Sequence, residues 1–525
     1  MIKELSTNEN NPPIPPLSKE GVSAACPPLE KGDILVVSPP LEKGGKGGFE
    51  RCLAVRERLI KDGVYINWRV SPEPFCISKD ELSFIESLGK YFYQFYKASN
   101  KLYYESVSGR QPAWVAGYLD QGKPQSLVEY VRMNRMKGLL PGVIRPDIIL
   151  TEDGMIASEL DSVPGGIGKT GSLGMAYSSM FGDNVAGGSE GMITGFFNML
   201  KTVAGTDNPV IAIVVSEESK DYRGEMEWIA KVVREKGGRA YCIKPDEVTF
   251  TEEGLFFQET IPPLQGEGQG GDGVSDESKS ELKIDVLYRF FELFDLKNIP
   301  KSELIMYSVK KKKAAVTPPY KHFLEEKLLY GLFHHPALKE FWVKELGEEA
   351  FEILNRIFPA TWILDPAEMP HYGVIPDLKI GTRPVSKWRE LTDTTQRERE
   401  FIIKPSGFSE LAWGSRGVVA GHDISQEEWR AALNSALEDF PKTPHVLQKF
   451  HRGRHVEVNY LDETSGEIKV MKGRVRLCPY YFIEGEEVKL RGILATICGL
   501  EKKLIHGMED AVITAVSMEG VRHKV

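Results

Sequence analysis

The chain has 525 residues, a prior of about three to four domains at roughly 150 residues each, and its 41% hydrophobic and 27% charged residues mark it as globular on average. Its 66 basic and 75 acidic residues leave a formal net charge of −9, so no domain-wide basic surface exists and nucleic acid is not expected as a partner. Apolar runs such as Val210 to Val215 fall far short of the ~20 residues a spanning helix needs, the N-terminus has no signal-peptide core, and the 6 cysteines show neither zinc nor disulfide spacing, so no membrane partner and a cytoplasmic location are expected.

Residues 1–50 form a low-complexity tail in which a Pro-Leu-x-Lys unit recurs at Pro16, Pro28 and Pro40, and a cousin begins at Pro263 inside a second Gly-rich stretch, 260–282. Proline removes donors and glycine raises the entropic cost of order, so both stretches are expected to be disordered. They resemble repeat peptides inserted at tolerated surface sites in unrelated bacterial proteins, and such insertions mark exposed loops. Residues 79–108 carry Leu82, Ile85, Leu88, Tyr91, Phe92, Phe95 and Tyr96 at helical spacing, which predicts an amphipathic helix or two. Val210 to Val215 reads as a strand covered on both faces. A helix follows from about Tyr222 to Lys236, then Gly237-Gly238 and an extended Arg239 to Ile243, the pattern of a βαβ unit in a parallel sheet. Glu217-Glu218 after the first strand, with no Gly-rich turn, argues against a dinucleotide site there. Ile284 to Tyr288 predicts another strand followed by a helix through Phe294, and from 301 onward the chain is mixed α and β.

Two motifs fail on inspection. Gly166-Ile167-Gly168-Lys169-Thr170-Gly171 fits G-x-G-x-x-G, but Val163 stands where a P-loop needs glycine. The preceding Glu159 and Asp161 are unsuited to the buried parallel strand of a dinucleotide site. His451 and His455 stand at i, i+4, but Arg452 occupies the place of the general-base Glu of a zinc helix. The run Lys310 to Lys313 reads as a solvated surface.

The segment from Arg145 to Asp161 carries more chemistry. Two extended stretches flank Asp153-Gly154, a hairpin signal. With Glu152, Asp153 and Gly154 as a three-residue loop and Gly154 in αL, Thr151 faces Met155, Asp147 faces Glu159 and Arg145 faces Asp161. A two-residue turn would slip this register and split the cluster. Three carboxylates on one face, Asp147, Glu159 and Asp161, repel unless a cation sits among them, and oxygen-only ligands point to Mg²⁺ or Mn²⁺. Arg145 beside them adds a fixed positive charge for a phosphoryl or acyl-phosphate oxygen. On charge pattern alone, a surface hairpin with its acids in water remains open.

Further along, Phe401 to Lys404 reads as a strand, Pro405-Ser406-Gly407 begins a loop through Gly414-Ser415-Arg416-Gly417, and Val418 to Ala420 is a second strand, a hairpin flap for phosphates. Val446 to Phe450 and Val456 to Tyr460 are extended. Lys472, Arg474 and Arg476 alternate on one face of the strand 470–477.

This order of elements resembles the circularly permuted ATP-grasp family of glutathionylspermidine synthase and related carboxylate–amine ligases. In that family an R-x-D pair is followed by E-x-N; Arg145, Asp147 and Glu159 match, and Asp161 replaces Asn, which puts the number of metal ions in doubt. The resemblance covers about residues 110–515. It implies an α/β and α+β multidomain chain in three folded parts: residues 51–205 (a helical region and the metal-binding hairpin), 206–300 (a Rossmann-like pre-ATP-grasp domain) and 301–525 (the nucleotide-binding lobes). It assigns catalysis to Arg145, metal binding to Asp147, Glu159 and Asp161, and ATP phosphates to Lys327 and Lys404. Gly414, Ser415 and Gly417 resemble the flap, Gln448 and Lys449 the adenine hinge, and Glu457 a ribose contact. The acceptor substrate is expected at Ser162 to Gly168, including Gly165 and Gly166, and Arg474 and Arg476 are candidates for gripping a carboxylate or phosphate. The implied activity is an ATP- and Mg²⁺-dependent ligase for a small-molecule carboxylate and amine; the rivals are an ATP-grasp kinase and a non-catalytic nucleotide-binding protein. No amidase domain is expected before the ligase-like region.

Overall fold

The computed structural model describes residues 46–65, 67–260, 279–367, 370, 373–412, 416–502, 504–505 and 510–519. Residues 1–45 of the expected tail and 261–278 of the second low-complexity stretch lie outside the described residues, but the edges of both expectations are corrected. A helix already spans Lys46–Lys61 and buries Cys52, Val55 and Leu59. At the second stretch, Gly254–Thr260 pairs with Lys279–Lys283, so a β-ladder reaches both of its ends.

The aromatic stripe folds as one helix, Lys79–Val107. Ser78 Oγ accepts from the Glu81 amide while the Glu81 carboxylate accepts from the Ser78 amide, so two orphan donors of the first turn are satisfied reciprocally. Its buried face lies under a large sheet. Gly89 is pressed against Tyr481, whose ring would stand 2.6 Å from an added Cβ, and the Tyr481 hydroxyl donates to Ile85 O at 2.6 Å.

That sheet has eight strands and draws on both halves of the chain. Its spine, Glu467–Glu484, pairs antiparallel with Glu487–Gly499 along one edge; along the other it takes Val456–Asp462 and then Val143–Thr151. Gly154–Asp161 completes that side, and Val512–Met518, joined in parallel by Arg69–Val70 and Phe75–Ile77, completes the opposite one. Arg476 is thereby set against Ile149, within a residue or two of the hairpin's acids.

A second sheet is wholly parallel: Ala315–Thr317, Val286–Phe290, Val210–Val215 and Arg239–Ile243. Every residue of Val210–Val215 is buried, as a strand covered on both faces requires. Helix Arg223–Glu235 makes the crossover to Arg239. Helices Ile167–Phe181 and Gly191–Ala204 fill the space between the two sheets, where Leu173, Ile193 and Phe196 share a core with Ile211, Ile213, Tyr480 and Phe482. Past Phe290 the chain forms a 3₁₀ turn, Leu293–Asn298, not the predicted α-helix. Pro300 disfavours helical geometry at the residue before it and closes the segment.

A third sheet, antiparallel, orders Thr361–Ile363, His445–Lys449, Phe401–Pro405 and Val419–Ala420. Helix Gln426–Glu438 covers it, with Trp429 and Leu433 packed on Phe401 and Leu447. Among the described residues no helix is long and apolar enough to cross a membrane.

Candidate functional site

The hairpin turns on two residues, Glu152 and Asp153, with Thr151 opposite Gly154, in place of the predicted three-residue loop. Gly154 has φ +134°, away from αL. This register alone would have turned Glu159 away from Asp147. A β-bulge between Asp147 and Ile148 resets it: Ser158 is the extra residue, and beyond it Asp147 stands opposite Glu159 and Arg145 opposite Asp161. The bulge leaves Ser158 outside the ladder, and its carbonyl accepts from Lys404 Nζ at 3.1 Å.

On this face the charges alternate. Arg145 Nη2 lies 3.2 Å from Asp147 Oδ1 and 3.0 Å from Asp161 Oδ2. Arg476 donates to Asp147 Oδ2 at 2.9 Å, and the Cys478 thiol donates to Oδ1 at 3.4 Å. Lys327 Nζ reaches Glu159 Oε1 at 2.9 Å. Burial works to raise the Asp147 carboxyl, but Arg476 and Arg145 outweigh it and hold it below the usual carboxylate range. Burial likewise opposes ionisation of Glu159, and Lys327 and Lys404 prevail. Asp161 goes the other way: burial raises it, the charges of Glu159 and Asp147 add to the rise, and Arg145 and the Val163 amide only partly offset them. Burial pulls the Lys404 ammonium below its usual value.

All of these groups but Lys404 border an open cleft of about 610 Å³. Charged side chains line it from the flap, where Lys327 Nζ donates to Ala412 O at 3.4 Å, past Glu159, Asp147 and Arg476, to Lys169, whose Nζ sits 3.9 Å over the Trp68 ring. Glu292 and Glu325 also line it. Burial raises Glu325 to about 7 although Arg289 is paired with it. Burial, then the charges of Glu325 and Asp161, raise Glu292 well above the usual carboxylate value.

Of the residues singled out in the sequence, Arg145, Asp147, Glu159, Asp161, Ser162, Gly165, Gly166, Lys327 and Arg476 line this one cleft. Lys404 is buried just behind its wall. The glycines have a packing reason: an added Cβ would stand 2.3 Å from the Tyr222 ring at Gly165 and 2.5 Å from Tyr480 Oη at Gly166, where φ is +89°. Gly414 and Ser415 lie outside the described residues. Gly417 does not line the cleft; its amide closes a turn on Leu411 O at 2.8 Å. The Gln448 amide donates to Thr361 Oγ1 at 3.2 Å inside the antiparallel sheet, Lys449 is exposed at the strand end, and Glu457 pairs with Lys472 at 3.3 Å on the large sheet. None of these three side chains borders the cleft. Arg474 shares a strand face with Arg476 but is held elsewhere, donating to Leu500 O at 3.0 Å.

The sequence reading missed Trp68, Lys169, Glu225, Glu292 and Glu325 as cleft residues. Lys169 has a local signal in Gly168-Lys169-Thr170, although the P-loop match there fails at Val163; the others carry no local signal, because only the tertiary fold brings them to the cleft.

Among the described residues no group of three or more His, Cys, Asp and Glu is arranged to hold a metal ion. Mg²⁺, however, commonly takes one or two carboxylates and completes its octahedron with water and phosphate oxygens. The donor set here, carboxylate oxygens on adjacent strands of one hairpin, fits such a shared ion in kind.

No protein-family model matches the sequence, and no curated protein matches it. Among solved structures, the chain is similar to a glutathione synthetase-like effector from Globodera pallida in its apo form, with TM-score 0.53 and 12% identity over 90% of this chain and 96% of that one. That is a likeness of fold. A protein from Methylobacillus flagellatus proposed to be a γ-glutamylcysteine synthetase aligns over 75% of this chain and 84% of its own at 10% identity, with a TM-score of 0.35, too low to carry an argument.

Proposed function

We propose that this chain is an ATP-dependent ligase that joins a carboxylate to an amine through an acyl-phosphate, with Mg²⁺ (or Mn²⁺) as its metal. The observation that carries the reading is the 2.9 Å contact of Lys327 with Glu159, beside the Lys404 contact to Ser158 O. Two lysines from the C-terminal half thus meet one N-terminal hairpin, Lys327 at a carboxylate in the cleft and Lys404 at a backbone carbonyl behind it. The hairpin's membership in a sheet otherwise built largely from residues 456–518 supports a circularly permuted ATP-grasp, similar to glutathionylspermidine synthase. The parallel sheet supports a Rossmann-like unit within 206–300, and the glutathione synthetase-like name of the fold neighbour agrees with the activity.

Lys327 and Lys404 would neutralise phosphate oxygens, exchanging Glu159 and a backbone carbonyl for the nucleotide. Asp147, Glu159 and Asp161 are the groups that would hold the metal, which when bound offsets charge between phosphate oxygens. Arg145 would keep a cation at the point where negative charge develops on the transferring phosphoryl oxygens and then on the oxygen of the tetrahedral intermediate. The substrate carboxylate attacks the γ-phosphorus and ADP departs with the electron pair; the amine then attacks the acyl carbon, the C–N bond forms, and phosphate leaves. Positioning and fixed charge supply most of the acceleration in such chemistry.

The test is ADP release with a panel of amino acids, polyamines and small peptides, using substrate ¹⁸O-labelled in its carboxylate. The reading predicts one ¹⁸O in the released phosphate. Arg145→Ala or Glu159→Ala turning over at the parental rate would reject it. A stable phosphorylated product without amide would select the kinase, and ATP binding without turnover the non-catalytic alternative.

A further inference from the structure

Glu326 stands in sequence between two residues of the cleft, Glu325 and Lys327, yet its own side chain does not border it. That side chain is wholly buried and pairs with Lys123, itself 1% exposed, which enters from the turn between helices Ala113–Asp120 and Gln125–Val131. Lys123 Nζ also donates to Gln121 O at 3.0 Å and lies 5.8 Å from the centre of the Phe408 ring. The second oxygen of Glu326 accepts from the Gly407 amide at 3.1 Å. Gly407 borders the cleft, and a Cβ there would stand 2.0 Å from Glu325 O, so its loop lies flush on the 325–326 backbone in a way only glycine permits. Pro405 and the Ser406 amide, which donates to Pro444 O at 2.8 Å, carry that constraint back to Lys404. One carboxylate therefore ties the segment bearing Lys327 to the segment bearing Lys404. Desolvation offsets much of the attraction within a buried ion pair, and what this pair fixes is the direction of the carboxylate.

We propose that Glu326, held by Lys123, is a positioning residue: it clamps the loop after Lys404 to the segment of Lys327 and so sets the spacing at which the two lysines meet nucleotide phosphates. Its hydrogen bond goes to a backbone amide, so its influence reaches the ligand only through where the lysines stand. The effect of losing it should grow with the number of phosphates a nucleotide presents and should spare the nucleoside. That the lysines meet phosphates rests on the ligase reading; the clamp itself rests on the contacts of Glu326.

Two neutral replacements of the pair separate the hydrogen bond from the charges. Lys123→Met/Glu326→Gln keeps an acceptor for the Gly407 amide, and Lys123→Met/Glu326→Leu has none; thermal melting follows the folding of both. Calorimetry on the full chain measures ATP, AMP and adenosine. The leucine variant is expected to lose about tenfold of the preference for ATP over AMP at unchanged adenosine affinity, while the glutamine variant keeps most of it. A merely structural role weakens all three ligands alike, so a preference unchanged in the leucine variant, or lost in the glutamine variant, would overturn the positioning role. Amide hydrogen exchange over a peptide containing Gly407, taken without nucleotide, reads the clamp by itself. Faster exchange in the leucine variant than in the glutamine variant is expected, and equal exchange in the parent and both variants would overturn the clamp. Faster exchange in the leucine variant with no ATP binding by the parent keeps the clamp and removes the ligase reading.

Discussion

Asp147 is the keystone of the charged face, and replacing it with Asn isolates what its charge contributes. Its carboxylate is only 10% exposed and sits between two guanidiniums, Arg145 and Arg476, that are 17% and 19% exposed. Asn keeps the shape but leaves two cations facing an amide, one of whose ends is itself a donor. Removing one partner from a buried ion pair costs about 3–5 kcal/mol, and the partial exposure of the arginines places this site near the lower figure, roughly 3 kcal/mol. At about 2–4 °C per kcal/mol for a folded unit of a few hundred residues, the melting transition should fall by roughly 6–12 °C. The double variant Asp147→Asn/Arg476→Met, which removes a stranded cation too, should recover much of the loss, and a double-mutant cycle by thermal and urea unfolding measures the coupling. A single Asp147→Asn variant that melts within a degree of the parent would refute the reasoning, because the carboxylate could not then be the shared partner of two buried arginines.

Other outcomes follow from the same geometry. Deleting Ser158 removes the bulge yet leaves Asp147 opposite Glu159 and Arg145 opposite Asp161, so the protein should stay folded; deleting Leu160 instead turns Asp161 to the opposite, buried face and should cost several kcal/mol, and circular dichroism melts of the pair check the contrast. Gly165→Ala should destabilise by about 1–3 kcal/mol because its Cβ meets Tyr222 at 2.3 Å, with partial recovery in Gly165→Ala/Tyr222→Leu; no recovery would point away from packing. Asp147 and Glu159 are held below their usual values, so the stability they add is present above about pH 4 and is lost as pH falls through their folded values, whereas Asp161, held above its usual value, opposes them. The urea midpoint should therefore drop as the pH is taken below about 4, with a shallower drop in Asp147→Asn.

How far the sequence carried can be seen in the hairpin. Its existence and its charged face were legible in the Asp-Gly turn and the alternation of Arg145, Asp147, Glu159 and Asp161. Its backbone was not, because a two-residue turn plus one bulge and a three-residue turn without one bring the same residues face to face. The βαβ unit was legible for a related reason: Val210 to Val215 is apolar throughout, and only a strand covered on both faces needs that. Arg474 and Arg476 carry the same pattern on the same strand and end in different places, since only the register with Val143–Thr151 brings Arg476 to Asp147. Gln448 and Glu457 were assigned by order along the chain, and their side chains are engaged by Thr361 and Lys472, partners that no local pattern predicts. Trp68, Lys169, Glu225 and Glu292 come from four separate segments and meet only through the packing of helices Ile167–Phe181 and Arg223–Glu235 between the sheets.

The measurement that bears most directly on the account is the gain in ATP affinity produced by Mg²⁺, taken by calorimetry on the parent chain and on Glu159→Gln. If Lys327 and the hairpin carboxylates form one nucleotide–metal site, Mg²⁺ tightens ATP binding to the parent and that gain shrinks by about tenfold or more in the variant, the worth of a single charged contact. An equal gain in both proteins, or no ATP binding by the parent, would contradict it.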